Sequence, residues 1–106
     1  MAYVELDANQ FGYVPLTLTA GLIESIMMEP MGRLGGATRL YGRVWISGQR
    51  VVIRYYHAQR AGEPPIPICA VARLGGGDLE GKPGRFPNSI ELAWSRALAF
   101  VVQDFL

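Results

Sequence analysis

The chain has 106 residues, enough for one domain with a single core and little to spare. Half of the residues are apolar and 18% are charged, which excludes a disordered tail and points to an efficient core or a buried subunit contact. The formal net charge of +1 excludes bulk electrostatic attraction to nucleic acid or to a membrane surface.

In chain order, residues 1–15 suggest an irregular or edge segment punctuated by Asn9, Gly12 and Pro15. They lack a basic stretch followed by an apolar one, so no secretion signal is expected in them and a cytoplasmic location is favoured over others. Residues 16–28 fit two periods. Leu16, Leu18, Ala20, Leu22 and Ile26 alternate, with Glu24 breaking the pattern, whereas Leu18, Leu22, Ile23, Ile26 and Met27 would share a helical face. Gly21 would cost a helix about 1 kcal/mol, and Thr17, Thr19, Ile23 and Ile26 favour a strand. Pro30 ends this element, and residues 32–36 form a flexible connection.

Residues 38–46 and 50–59 predict a β-hairpin around Ser47-Gly48. Arg39, Tyr41, Arg43 and Trp45 fall on one face, and Leu40, Gly42, Val44 and Ile46 on the other. With Ser47-Gly48 as the two loop residues, Trp45 opposes Arg50, Tyr41 opposes Arg54 and Arg39 opposes Tyr56. Three cation–aromatic pairs would each contribute roughly 0.2–1 kcal/mol. Sliding the loop to Gly48-Gln49 would oppose Arg43 with Arg54, a like-charge contact. On the second strand Val51, Ile53, Tyr55 and His57 fall on the apolar side.

Residues 61–65 are a Gly/Pro loop, and residues 66–74 a nearly all-apolar central strand with Pro67 near its start. Residues 75–88 make a Gly/Pro-rich loop whose length suggests mobility or function. The tail from residue 89 onward is open. Ile90, Trp94, Ala97, Leu98, Val101 and Phe105 form a helical stripe, with Asn88 and Glu91 as a capping pair. Strands over 90–94 and 97–105 fit as well, and Phe100-Val101-Val102 tilts the expectation to strands.

Few residues could carry chemistry. Cys69 is the only cysteine, so no intrachain disulfide forms, and in its apolar run it reads as a small hydrophobe. His57 is the only histidine, which excludes a multi-histidine metal site within one chain. Residues 76–82 match the first positions of a phosphate-binding loop, but Pro83 stands where that motif needs a hydroxyl, and Pro83-Gly84 blocks the helix it requires. No catalytic residue, metal or cofactor is therefore expected.

Charge is unevenly distributed. Glu5, Asp7, Glu24 and Glu29 make the first thirty residues acidic, whereas residues 30–62 contain no acid and six arginines. Pairing between the two segments within the fold would account for this. Alternatively, Arg39, Tyr41, Arg43, Trp45, Arg54 and Tyr56 form a partner-binding wall, since Trp, Tyr and Arg dominate protein hot spots and also hold single-stranded nucleic acid.

The stretch GATRLYGRVWISGQRVVIRYYHAQ, followed by IPICAVARL, resembles a group of small bacterial β-proteins that are often encoded near serine/threonine kinase genes and have no known activity. The matching residues are Thr38-Arg39-Leu40-Tyr41-Gly42-Arg43-Val44 and Ile66-Pro67-Ile68-Cys69-Ala70-Val71. The first of these strands is also similar to the small barrel domains of TrbI-type conjugation proteins. Both resemblances imply a β-barrel, and neither implies a catalytic residue.

The expectation is an all-β domain over residues 1–106, a small antiparallel barrel or sandwich of about six strands, with an α+β fold carrying a C-terminal helix at 89–106 as the alternative. The expected function is a non-enzymatic interaction or assembly module that binds a protein partner or a second copy of itself. Single-stranded nucleic-acid binding on the hairpin wall and a small enzyme of unknown reaction are the alternatives. No membrane partner is expected.

Overall fold

The computed structural model describes residues 2–9, 16–30, 34–73 and 79–102. Ten strands occur among them: β1 (Ala2–Glu5), β2 (Leu16–Thr19), β3 (Gly21–Met27), β4 (Arg39–Ser47), β5 (Arg50–Gln59), β6 (Ile66–Arg73), β7 (Leu79–Glu80), β8 (Lys82–Pro83), β9 (Ser89–Leu92) and β10 (Arg96–Val101). Six of them pair antiparallel in the order β4-β3-β1-β10-β6-β5, and β5 pairs back onto β4. The result is a closed barrel, which leaves no open edge among these six. A second sheet, β2-β9-β8, adds Leu16, Leu18, Ile90 and Leu92 to the same core, and β7 extends the free end of β5.

Closure works because side-chain size is graded around the barrel. Ala2, Ala70, Ala72, Ala97 and Ala99 are the buried residues of β1, β6 and β10 that leave room, while Met27, Leu40, Ile53 and Tyr55 fill the interior from β3, β4 and β5. Tyr55 is fully buried, and its hydroxyl lies 2.7 Å from Ser25 Oγ. Ser25 spends its single proton on the Leu6 carbonyl oxygen at 2.6 Å, so the Tyr55 hydroxyl is the donor to Ser25. Burial pushes the Tyr55 phenol above its ordinary pKa.

Several expectations are corrected. Strand β1 is no edge: it lies between β3 and β10, with Ala2 and Val4 fully buried. Residues 16–28 are not one element. Gly21, at φ +123, separates β2 from β3 and changes the phase of alternation, so that Ile23, Ser25 and Met27 face inward while Leu22, Glu24 and Ile26 do not. The described part of the tail forms β9 and β10, as the favoured strand reading expected, and no helix of the 89–106 alternative occurs among the described residues. Asn88 takes the left-handed φ of +58 in the turn before β9 instead of capping a helix. Cys69 is half-buried rather than buried. Lys82 sits in strand β8, in line with the sequence argument that no helix starts there; residues 76–78 of the phosphate-loop match lie outside the described residues.

The hairpin also adopts the register that charge pairing argued against. The loop is Gly48-Gln49, with Ser47 opposite Arg50, Trp45 opposite Val52 and Arg43 opposite Arg54. Gly48 has φ +61 at the first loop position, as the primed hairpin turns require. This register aligns Val44 with Ile53 and Ile46 with Val51 on the apolar face. Either register would bury that face, so the turn decides: glycine at the first loop position outweighs a like-charge contact worth less than about 1 kcal/mol.

Candidate functional site

The outer face of β3–β4–β5 carries the residues that the sequence singles out. Its geometry follows from one irregularity. Between Gly42 and Tyr41 the pairing jumps from Tyr55 to His57, leaving Tyr56 as the extra residue of a β-bulge. A Cβ on Gly42 would overlap the Arg54 carbonyl oxygen and lie 2.8 Å from Tyr55 Cα, so the bulge needs glycine there. The bulge also changes the phase of β5. Its downstream core residue is Ala58, and His57, expected on the apolar side, is exposed.

The six expected site residues separate into three groups. Tyr41, Arg43 and Tyr56 line one shallow groove of about 260 Å³ together with Leu22, Gly42 and His57. Trp45 and Arg54 stand beside it, with the Arg54 guanidinium 5.5 Å from the Trp45 ring centroid. That diagonal stack replaces the expected pairs of Arg54 with Tyr41 and Trp45 with Arg50. Arg39 belongs elsewhere: it lines a separate hollow of about 150 Å³ with Ala37, Gln59 and Arg60, and its guanidinium is 2.6 Å from Glu24 Oε1. Of the expected pairing between the acidic N-terminal segment and the arginines of residues 30–62, this Glu24–Arg39 contact is a realised example. Tyr41 donates to Gln59 Oε1 at 3.2 Å. Partial desolvation, then the Glu24 carboxylate, raises the Tyr41 phenol above its usual pKa, against a smaller opposing pull from Arg39.

Sequence reasoning missed three contributors. Leu22 is 81% exposed and opposes Arg43 across β3–β4. Its signal was present, since it falls two residues before the outward Glu24. Val52, 36% exposed, opposes Trp45, which is 42% exposed. His57 required knowledge of the bulge.

A cavity of about 570 Å³ lies at the foot of the hairpin loop and is lined by Gln49, Glu80, Gly81, Lys82, Glu91, Leu92 and Ala93. Lys82 faces Glu91 across β8–β9, so its charges answer each other. Among the described residues, no three His, Cys, Asp or Glu side chains converge as metal ligands. Glu5 is the notable buried acid: its carboxylate meets Arg96 Nε at 2.5 Å, and its second oxygen has no partner among the described residues. No family model, curated protein or solved structure matches this chain.

Proposed function

We propose that the chain is a non-catalytic interaction module that binds a protein partner on the outer face of β3–β4–β5. The observation that carries this reading is Leu22, 81% exposed, standing beside Arg43 in a groove walled by Tyr41 and Tyr56, with the exposed Trp45–Val52 pair next to it. Large exposed apolar side chains clustered with Trp, Tyr and Arg mark protein interfaces rather than solvated walls. A second copy docked through this same face would approach with its own Arg43 and Arg54 near a two-fold axis, which like-charge repulsion opposes. A foreign partner fits better.

The test is a display selection of short random peptides on the immobilised chain, with the Leu22→Asp and Trp45→Ala variants as counter-targets. Both side chains are exposed, so neither change disturbs the core. Peptides that bind the unaltered chain and are lost on both variants support the reading. Peptides bound equally by all three chains, or no enrichment at all, overturn it.

A second reading is self-association, through a different face. Tyr3, Leu98, Phe100 and Val71 are aligned across β1, β10 and β6 on the outside of the barrel, and Tyr3 is 50% exposed. Light scattering behind size exclusion measures it. A species of twice the chain mass that Tyr3→Asp dissociates would support this second reading, and a monomer at high concentration would refute it.

A further inference from the structure

We propose that the cleft at the foot of the hairpin loop binds a neutral oligosaccharide, with one sugar ring stacked on Trp94 and the hydroxyls of the next held by Gln49, Glu80, Lys82 and Glu91. The cleft is made of two hollows. The cavity of about 570 Å³ shares Glu80, Leu92 and Ala93 with a second hollow of about 170 Å³, lined in addition by Leu79, Trp94 and Arg96. The larger hollow alone falls within the roughly 300–1,000 Å³ of small-molecule sites. Buried Leu79 and Leu92 give the cleft an apolar floor, and Trp94 stands at its end 64% exposed. The walls are pre-positioned. Gly81 donates its N–H to the Gln49 carbonyl at 2.9 Å, and it lies so close to β9 that a Cβ there would come within 2.6 Å of the Glu91 carbonyl oxygen. Arg96 is anchored by the buried Glu5 carboxylate.

The charge pattern selects the ligand. Glu91 faces Lys82 across β8–β9, Glu80 faces Arg50 across β5–β7, and Arg96 meets Glu5. A ligand with net charge therefore gains little from walls whose described charges are matched, and a phosphate would meet two carboxylates. Among the described residues no three metal ligands converge. What the walls offer is hydrogen bonding: carboxylates accept, the Lys82 ammonium donates, and the Gln49 amide does both. Sugar hydroxyls each donate and accept, and their bonds to ionised groups are the strong kind. A pyranose ring also has a flat face of C–H groups, which packs on the electron-rich face of an exposed indole. Trp94 is the surface that this face needs.

An array of neutral, acidic and basic oligosaccharides probed with the full chain tests the proposal, followed by calorimetric titration of the sugars that bind. The expected result is binding of neutral oligosaccharides, equal at low and high salt, about tenfold weaker in Trp94→Ala and partly restored in Trp94→Tyr. Trp45 and Trp94 are the two tryptophans of the chain, so in Trp45→Phe the tryptophan emission reports on Trp94 alone and should be shielded from acrylamide by the bound sugar. No binding on the array, binding confined to charged sugars and lost in salt, or neutral-sugar binding indifferent to Trp94→Ala would each overturn it. Display-selected peptides whose binding depends on Trp94 would do so as well, by making the occupant a peptide. The cleft and the outer face of β3–β4–β5 share no lining residue, so Trp94→Ala leaves peptide binding at Leu22 and Trp45 unchanged, and the two readings stand or fall separately.

Discussion

Removing the Ser25 hydroxyl should harm the barrel more than removing the Tyr55 hydroxyl, and removing both should harm it less than removing Ser25 alone. The magnitudes follow from who donates to whom. Tyr55 donates to Ser25, and Ser25 donates to the Leu6 carbonyl, all within the buried interior. Tyr55→Phe deletes one donor and leaves the Ser25–Leu6 bond intact, costing about 1 kcal/mol. Ser25→Ala strands two buried groups, the Tyr55 hydroxyl and the Leu6 carbonyl, at about 1–3 kcal/mol each. Adding Tyr55→Phe to Ser25→Ala removes one of those orphans, so the double variant should recover about 1–2 kcal/mol relative to Ser25→Ala. Against a total stability on the order of 5–15 kcal/mol, differences of this size are readily resolved. Urea unfolding followed by far-UV circular dichroism is the assay, since Trp45 and Trp94 are both exposed and report weakly on core loss. The denaturant slope should stay constant across the series. A double variant less stable than Ser25→Ala, or costs that simply add, would refute the donor order and with it the account of how the barrel interior satisfies its polar atoms.

The same phenol predicts a pH dependence. Burial raises the pKa of Tyr55 in the fold, so its stabilising contribution is complete below the unfolded value of about 10 and is lost as pH rises above it; the stability gap between the unaltered chain and Tyr55→Phe should narrow there, and a constant gap in alkaline urea titrations would contradict this. Gly42→Ala should cost about 3 kcal/mol or more, because the new Cβ would collide with Arg54 and Tyr55 backbone atoms; a thermal midpoint within a few degrees of the unaltered chain would show that the bulge can relax. Arg96→Ala should destabilise by about 3 kcal/mol by leaving the fully buried Glu5 carboxylate uncompensated, with partial recovery when Glu5→Gln is added; equal denaturation midpoints for Arg96→Ala and the unaltered chain would refute it. Arg43→Glu should stabilise the chain by about 0.2–1 kcal/mol by facing Arg54, which a lowered urea midpoint would disprove.

Most of the barrel was legible because alternation is a backbone property. Leu40, Val44, Val51, Ile53 and Tyr55 are buried where period two puts them, and β6 is central as its apolar run implies. What failed to show was every change of phase. Gly21 shifts the alternation between two sheets, and a single-period reading could not cross it. The hairpin register was decided by the turn at Gly48, whereas the cation–aromatic pairs favouring the alternative are individually weak. Five of the six wall residues were legible as neighbours, since composition and alternation put them on one face. Arg39 was drawn aside by Glu24, a partner 15 residues away that no local pattern announces.

Fold and candidate site share one cause. The bulge at Tyr56 lets β5 pair with β4 at the Gly48-Gln49 register upstream while Ala58 still reaches the core downstream. Without it, His57 would keep the phase of Val51, Ile53 and Tyr55, and Ala58 would face solvent. The same extra residue places Tyr56 and His57 on the groove rim and brings the Gly42 backbone to its lining. Gly42 is therefore constrained by the strand pairing: a side chain there would strike the β5 backbone. Leu22→Asp and Gly42→Ala separate the two roles. The first should abolish binding at unchanged stability, because Leu22 contacts little of the core. The second should lose both together, because the groove and the strand pairing are one piece of backbone geometry.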